Sequence, residues 1–331
     1  MADNVLNTNT GVLELPKQKI EPWVKEVANG SAVASLSPST PMIFGPGQGF
    51  TFDIGEAEYV GESASKSGSE IVPKKQTVTP FKFQKTVRMS QEILWADEDA
   101  QIAAVDQILA KIQPGLSRAL DFGIFHGINP KDGTAVVAMT QKLSDTTNVV
   151  TVGANAAYTY LDAADALVLE DGYAPSDVAL DPTWAASFAT LRATQTEQKM
   201  YPGFKLSTTV SELDGHRASV SRTVRALAVA DNPTGVLGFV GDFSAIQWGI
   251  QRQIGLELIE YGDPDGLGDL KRKNEVAFRA EVVYGWGIAD LNAFAVVKVG
   301  AGSGSSAASS SSAASSSAAA SSSAASSSSA A

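Results

Sequence analysis

The chain has 331 residues, of which 44% are apolar, enough to bury one large core or two modest ones,. It contains no cysteine, so disulfides, thiolate nucleophiles and cysteine-ligated metal centres are excluded,. A net charge of -11 disfavours a protein that reads DNA sequence through a basic face, and the absence of any run of about 18 apolar residues predicts no membrane span,.

Residues 1–30 are polar and lack the periodicity of a helix that packs on its own core,. We predict an extended N-terminal arm over this segment. Its few large apolar side chains would be buried on a neighbouring subunit, and these are Leu13, Leu15, Ile20 and Trp23. A frayed terminus is the alternative interpretation.

Residues 43–94 show the alternation of apolar and polar side chains that is typical of strands,. The clearest segments are residues 50–54, 58–62 and 77–83, with a small polar tip at residues 63–70. This pattern predicts a long β-hairpin. Because a two-stranded ribbon is marginal in water by itself, we expect it to pack against another subunit.

The acidic run at residues 97–99 predicts a helix start, since the helix dipole favours negative charge in the first turn,. Apolar residues follow at spacings of three and four as far as Ile124,. We predict one long helix over residues 97–127, bent at Pro114. The alternative is that Pro114 divides this stretch into two ordinary helices.

Residues 136–243 alternate between helical and strand patterns, which predicts a compact α/β domain,. We expect a helix over residues 158–170 and a short strand over residues 176–180. A second helix should follow, with Asp181 as its N-cap and Pro182 in its first position,.

Strand patterns return over residues 236–240, 245–261 and 275–299,. The largely apolar stretch 278–299 is expected to pack beside the long helix. The first and last thirds would then share one domain, with the middle third inserted.

Residues 305–331 contain only Ser and Ala and have nothing to bury, which predicts a flexible tail or linker, with an expression scar or a docked surface strip as alternatives,.

Two acidic groups invite a chemical interpretation. Asp162 and Asp165 resemble the carboxylate pair of an acid–base enzyme, but their spacing is typical of a solvated helix face,. The acidic loop at residues 263–269 carries oxygen ligands of the kind that calcium prefers,. That loop departs from the EF-hand pattern at Leu267 and Asn274, so a loop without metal is predicted.

Glycines and histidines give equally weak signals. The Gly-rich residues 45–49 could suggest a phosphate cradle, but Pro46 lacks an N–H and no Lys-Ser/Thr pair follows,. A flexible base for the hairpin is the better interpretation. His126 and His216 are predicted to be a helix-end residue and a solvated loop residue,. We therefore expect no cofactor and no metal, and we assign no catalytic residue.

Several short motifs resemble segments of the Hong Kong 97 family of major capsid proteins. They are AEYVGE at 57–62, VRMSQEIL at 87–94, GDFS at 241–244, VAFRAE at 276–281 and NAF at 292–294. The order of arm, hairpin, long helix, inserted domain and returning strands is also similar to that family. The likeness covers about residues 28 to 300, and it depends on the number and order of the motifs.

The resemblance implies an α+β fold of the Hong Kong 97 type. Its parts would be an N-terminal arm (1–30), a P-domain (31–46 and 81–135) with a spine helix (97–127), an E-loop hairpin (47–80), an α/β A-domain (136–243), late strands that return to the P-domain (244–300) and a Ser/Ala low-complexity tail (301–331). In that family the E-loop lies across a neighbouring subunit, and the A-domains meet at five-fold and six-fold axes.

The resemblance further implies a major capsid protein and not an enzyme. Its copies would self-assemble into pentamers and hexamers of an icosahedral shell around the double-stranded DNA of a tailed phage. The implied partners are the chain itself, a separate scaffolding protein, a portal and a decoration protein, with DNA enclosed without sequence-specific binding and no membrane contact. The implied location is the virion capsid, assembled in the host cytoplasm. An encapsulin shell and a soluble hydrolase are the alternatives.

The residues expected at contacts between subunits lie in the arm and the hairpin. They are Trp23, Phe50, Phe52, Tyr59, Glu62, Lys66, Lys74 and Lys75. Some relatives join a hairpin lysine to an asparagine of an adjacent subunit, with a buried glutamate as base. The hairpin lysines lie in the right region, and Asn274 and Glu275 lie near the late loop. We favour simple solvated lysines and assign no catalytic residue, so the sequence does not decide whether subunits crosslink.

Overall fold

The computed structural model describes residues 30–54, 57–63, 65–68, 71–100, 110–193, 197–226 and 235–300. The arm residues Leu13, Leu15, Ile20 and Trp23 lie outside the described residues. So do the Ser/Ala tail and residues 101–109 of the predicted long helix. Among the helices that the structure describes, none is both long and apolar enough to cross a membrane.

The described chain forms two sheets and a few helices, which confirms the predicted mixed fold. The helices are α1 (Ala32–Leu36), α2 (Gln91–Ala100), α3 (Ile112–His126), α4 (Ala157–Glu170), α5 (Pro182–Thr190) and α6 (Leu270–Lys273). The strands are β1 (Gly47–Ile54), β2 (Ile71–Ser90), β3 (Val149–Val152), β4 (Asp177–Leu180), β5 (Ser211–Leu213), β6 (His216–Val220), β7 (Val236–Gly241), β8 (Ile246–Ile259), β9 (Glu275–Ile288) and β10 (Phe294–Val299).

The first sheet has the order β1-β2-β9-β8 and is antiparallel throughout. Residues 71–78 of β2 pair with β1, and residues 79–90 of the same strand pair with β9. The long hairpin is therefore confirmed, and it continues one strand of the sheet. The predicted strand at residues 58–62 is wrong, because the pairing of β1 with β2 ends at Ile54 and Ile71 and no described strand faces residues 57–62.

The second sheet has the order β3-β10-β7-β4-β6-β5. Strand β10 lies parallel to β3 and antiparallel to β7, so residues 294–299 complete the sheet of the middle third. The expectation that all late strands (244–300) return to the first domain is wrong for this segment. The physical reason is that Phe294, Ala295, Val296 and Val297 are fully buried, which requires cover on both faces of the strand,.

The predicted single helix over residues 97–127 is also wrong. Helix α2 begins at Gln91, directly after β2, and the backbone N–H of Gln91 donates to the carbonyl of Asn274 at 3.0 Å. A turn at Lys111 precedes α3, which places Pro114 in the first turn, where its missing N–H costs little,. Helix α3 ends in the left-handed residue Gly127, a common helix terminator,.

Local signals in the middle third are confirmed. Helix α4 and strand β4 lie within one residue of their predicted bounds. Helix α5 starts at Pro182, and the side chain of Asp181 accepts a hydrogen bond from the backbone N–H of Thr183. Capping residues of this type typically stabilise a helix by about 1 kcal/mol.

The core joins the two sheets through α3. The ring of Phe125 stacks on Phe239 of β7 with centroids 4.8 Å apart. On the other side, Trp286 of β9 packs so closely on Gly123 that a Cβ there would lie 2.6 Å from its ring. The predicted packing of the late strands beside the long helix is thus confirmed for β9. A second cluster fills the space between α4, α5 and the second sheet.

Candidate assembly surface

The hairpin formed by β1 and β2 extends past the part of the first sheet that β9 covers. Eight residue pairs, from Gly47 with Val78 to Ile54 with Ile71, lie beyond the last pairing of β2 with β9. At about 3.3 Å per residue these pairs span roughly 26 Å. Ile71, in the last of these pairs, is 58% exposed, and Tyr59, in the segment beyond them, is 93% exposed. These two exposed apolar side chains make this end of the hairpin a candidate contact surface.

The predicted contact residues that the structure describes lie either in the segment between β1 and β2 or in these two strands. Tyr59, Glu62 and Lys66 lie exposed in the segment that links the two strands. In the strands, Phe50 faces Lys75, and Lys74 lies one position further along β2. Phe52 lies two positions from Phe50 on β1, and Trp23 lies outside the described residues. The fold therefore brings seven of the eight predicted residues onto one hairpin.

A second apolar surface lies at the far edge of the first sheet, and the sequence analysis did not single it out. From Arg252 to Leu258 both faces of β8 are exposed, and Ile254, Leu256 and Leu258 are 38%, 46% and 48% accessible. A groove of about 350 Å³ separates this strand from the start of α3. Its apolar walls include Ile112, Leu116, Ile250 and Tyr284. Apolar alternation predicted a strand here, but only the sheet order shows that it is an edge.

Arg88 of β2 is buried inside the acidic loop that connects β8 with β9. Its guanidinium donates to the carboxylates of Asp263 at 3.3 Å and Glu275 at 3.0 Å, to that of Asp265, and to the carbonyl of Gly268 at 2.8 Å. Two of the three aspartates that invited a calcium interpretation, Asp263 and Asp265, therefore bind an arginine, and the third, Asp269, caps α6. In the parts of the chain that the structure describes, no group of His, Cys, Asp or Glu is placed to hold a metal ion.

The residues considered for a crosslink make contacts within the chain. The side-chain amide of Asn274 donates to Glu92 of α2 at 2.7 Å, and Glu275 accepts from Arg88. The pKa of Glu92 is lowered, first by a backbone N–H at the start of its helix and then by Asn274. These bonds tie the loop after β8 to α2 and give Asn274 and Glu275 a structural role.

Asp121 of α3 contacts the start of α1. Its buried carboxylate accepts hydrogen bonds from the hydroxyls of Ser31 and Thr223 and from the backbone N–H groups of Ala32, at 2.7 Å, and Val33, at 3.2 Å. Burial raises the pKa of Asp121 to about 6, and these hydrogen bonds oppose that rise. The carboxylate therefore caps the start of α1.

The two histidines are both buried and serve different elements. His126 is the last residue of α3, as predicted, and Nε2 lies 2.9 Å from the carbonyl of Val224. Burial lowers its pKa to about 4. The prediction of a solvated loop for His216 is wrong, because it starts β6 and contacts Asp165 of α4 at 3.1 Å, which raises its pKa. Asp165 therefore does not belong to a freely solvated helix face.

Comparison with known proteins gives the family. Residues 15–299 match the model of the phage capsid family. The chain belongs to that family. Among solved structures, it is similar to a chain from Mycobacterium phage Ogopogo, with 41% identity and a TM-score of 0.77 over 86% of this chain and 97% of the other. A chain from Gordonia phage Cozz is 30% identical, with a TM-score of 0.71 over 87% and 92%.

More distant structures agree with this assignment at the level of the fold. The capsid of a native GTA particle is 15% identical, with a TM-score of 0.59 over 88% of this chain and 97% of the other. No curated protein matched the chain. The family and the phage structures confirm the predicted function, a phage major capsid protein with a Hong Kong 97-like fold. It is a structural protein of the virion capsid and not an enzyme.

Proposed function

We propose that copies of this phage capsid protein form pentamers and hexamers of an icosahedral shell, and that the hairpin clasps a neighbouring subunit. The shell would enclose double-stranded DNA and assemble in the host cytoplasm. The observation that carries this proposal is the hairpin itself, which reaches roughly 26 Å beyond its last pairing with β9 and ends in exposed apolar side chains,. A closed shell gives every hairpin an identical neighbour on which to bury them.

In this proposal the parts of the chain take the family's roles. Residues 47–80 are the E-loop, and residues 31–46 and 81–135 form the P-domain with α2 and α3 as its spine. Residues 136–243 form the A-domain, which meets its copies at five-fold and six-fold axes, and β10 belongs with it. The arm (1–30) would add further contacts, and a scaffolding protein, a portal and a decoration protein would be separate chains.

The apolar groove between β8 and α3 supports the proposal, because the exposed apolar side chains of the hairpin need an apolar surface on the neighbouring subunit to pack against. Exposed apolar side chains on the hairpin and on β8 lie at opposite edges of the same sheet. A subunit that places one edge against the other edge of its neighbour buries both sets. The net charge of -11 is consistent with a wall that encloses DNA without adhering to it,.

The test shortens the hairpin in register. Since Phe50 faces Lys75, residues 51–74 can be replaced by an Asn-Gly turn without changing the pairing that remains. We expect a soluble, folded subunit that forms no shells in electron microscopy and sedimentation. A matched control replaces residues 63–68 with Gly and Ser at unchanged length and should form shells. Normal shells from the shortened chain would refute the clasp.

The proposed contents have a separate test. Particles formed in infected cells and treated with nuclease should retain DNA that is protected by the shell. Particles that instead contain bound protein cargo and no DNA would contradict the proposed role in genome packaging, whatever the shortened hairpin does.

A further inference from the structure

Two attachments connect the hairpin to the rest of the subunit, one through strand β2 and one through the residues before β1. Strand β2 carries the hairpin directly, because it continues from its pairing with β1 into its pairing with β9 between Val78 and Thr79. A single continuous strand can still bend and twist at such a change of partner. The other strand, β1, begins at Gly47 beside Val78 and pairs in the sheet with β2 alone, so a second attachment has to come from the residues that precede Gly47.

That attachment is made by Gln251 of β8. The backbone N–H of Gly45 donates to Oε1 of Gln251 at 3.0 Å, and Nε2 of Gln251 donates to the carbonyl of Gly45 at 2.9 Å. The amide thus imitates a strand partner for one residue at the base of the hairpin. Gly45 has φ 131°, a conformation that side chains rarely adopt, so the sequence must place glycine there,.

A β-bulge aims the side chain of Gln251 at this target. In the pairing of β8 with β9, Ile250 faces Tyr284 and Arg252 faces Val283, so Gln251 is the extra residue without a partner. Bulges of this kind redirect a side chain out of the regular alternation of a strand. The register of the sheet is therefore interrupted at the residue that reaches the hairpin.

Two glycines allow other parts of the chain to lie close to the face of the first sheet. Gly249 and Gly285 face each other in β8 and β9. A Cβ on Gly249 would lie 2.1 Å from the carbonyl oxygen of Thr40, and one on Gly285 would lie 2.5 Å from Nε2 of Gln251. The chain from Thr40 to Gly45 thus crosses the sheet face from β8 toward β1, over glycines that allow close approach.

We propose that Gln251 is a positioning residue, which ties the base of the hairpin to β8 and so sets the direction in which the hairpin leaves the subunit. Its effect on assembly rests on the proposed clasp, but its effect on the hairpin's direction does not. Without the tie, the hairpin pivots about β2 at residues 78–79, and a small rotation there moves the tip by several ångströms.

The experiment measures that direction in unassembled subunits. The chain has no cysteine, so Lys66→Cys at the exposed tip and Val137→Cys on the body provide a unique pair for spin labels. Pulsed electron resonance should give one narrow distance distribution in the parent chain. In Gln251→Leu we expect a broadened distribution with a displaced mean, and in Gln251→Glu, which keeps the acceptor and loses the donor, an intermediate result.

Gln247→Leu is the matched control, because it makes the same change on an exposed side chain of the same strand. Its distribution should equal that of the parent. If Gln251→Leu fails to fold, Gln251→Glu answers the same question. Identical distributions in the parent and the Gln251 variants would overturn the inference, even where thermal stability falls.

Shell formation by Gln251→Leu separates the two proposals. A broadened distribution together with malformed or absent shells supports both. A broadened distribution with normal shells upholds Gln251 as the positioning residue and contradicts the clasp. An unchanged distribution overturns the role of Gln251 and leaves the clasp to be judged by the shortened hairpin.

Discussion

Replacing the buried Asp121 with asparagine should change how the stability of the subunit depends on pH. The pKa of Asp121 rises from 3.8 to about 6 on folding, chiefly through burial. At about 1.4 kcal/mol for each pH unit, this rise corresponds to about 3 kcal/mol. Between these two values the folded protein keeps a proton that the unfolded chain releases, so the free energy of unfolding falls as pH rises from about 4 to about 6.

Asparagine has no proton to lose in this range, and Asp121→Asn should lack that fall. We expect its stability relative to the parent chain to improve by about 3 kcal/mol between pH 4 and pH 7. Nearby, Tyr284 stays neutral throughout, because burial and the Asp121 charge raise its pKa to about 12. His126 and His216 titrate in both proteins, so their contributions cancel in the difference.

The assay is urea unfolding of unassembled subunits at several pH values, followed by tryptophan fluorescence. The exposed Asp132 offers a control, because hydrogen bonds from Thr134 lower its pKa from 3.8. Its replacement by asparagine should give a trend of opposite sign that lies below about pH 4, and no trend between pH 4 and pH 7. A difference between Asp121→Asn and the parent that is independent of pH would refute the reasoning.

Two further substitutions test the packing. Arg88→Leu leaves three acidic side chains without their shared cation and should lower the free energy of unfolding by about 3 kcal/mol,. Its control is Lys142→Met, at a partly exposed ion pair, which should change the free energy of unfolding by less than about 1 kcal/mol,. Gly123→Ala would place a Cβ 2.6 Å from the ring of Trp286 and should cost about 1–3 kcal/mol,. Gly61→Ala, which has open space around it, is its control. Equal effects of variant and control in either comparison would contradict the packing that we describe.

Local chemistry made the hairpin and the helices of the middle third predictable. Neighbouring residues alone predict the alternation in β1 and β2 and the polar tip between them. The same holds for the start of α5 at Asp181-Pro182. The start of α2 was missed because β2 runs into it without a loop, and the N–H of Gln91 is satisfied by Asn274, far away in the sequence. No local pattern reports such a contact.

Contacts between distant residues account for the other misses as well. The ion pair of His216 with Asp165 and the enclosure of Arg88 by the acidic loop need the folded topology to bring their partners together. The edge position of β8, and with it the exposed groove, follows only from the strand order. Of the candidate surface, the hairpin residues were predictable from sequence, whereas the groove was not.

The placement of β10 between β3 and β7 has a consequence for synthesis. Val296 pairs with Val149, and at about 5–20 residues per second the ribosome needs about 7 to 30 s to make the chain between them. Strand β7 is made within that time, and until β10 follows, β3 and β7 lack the strand that joins them. An unfinished chain on the ribosome therefore lacks a complete second sheet until residue 299 has been made.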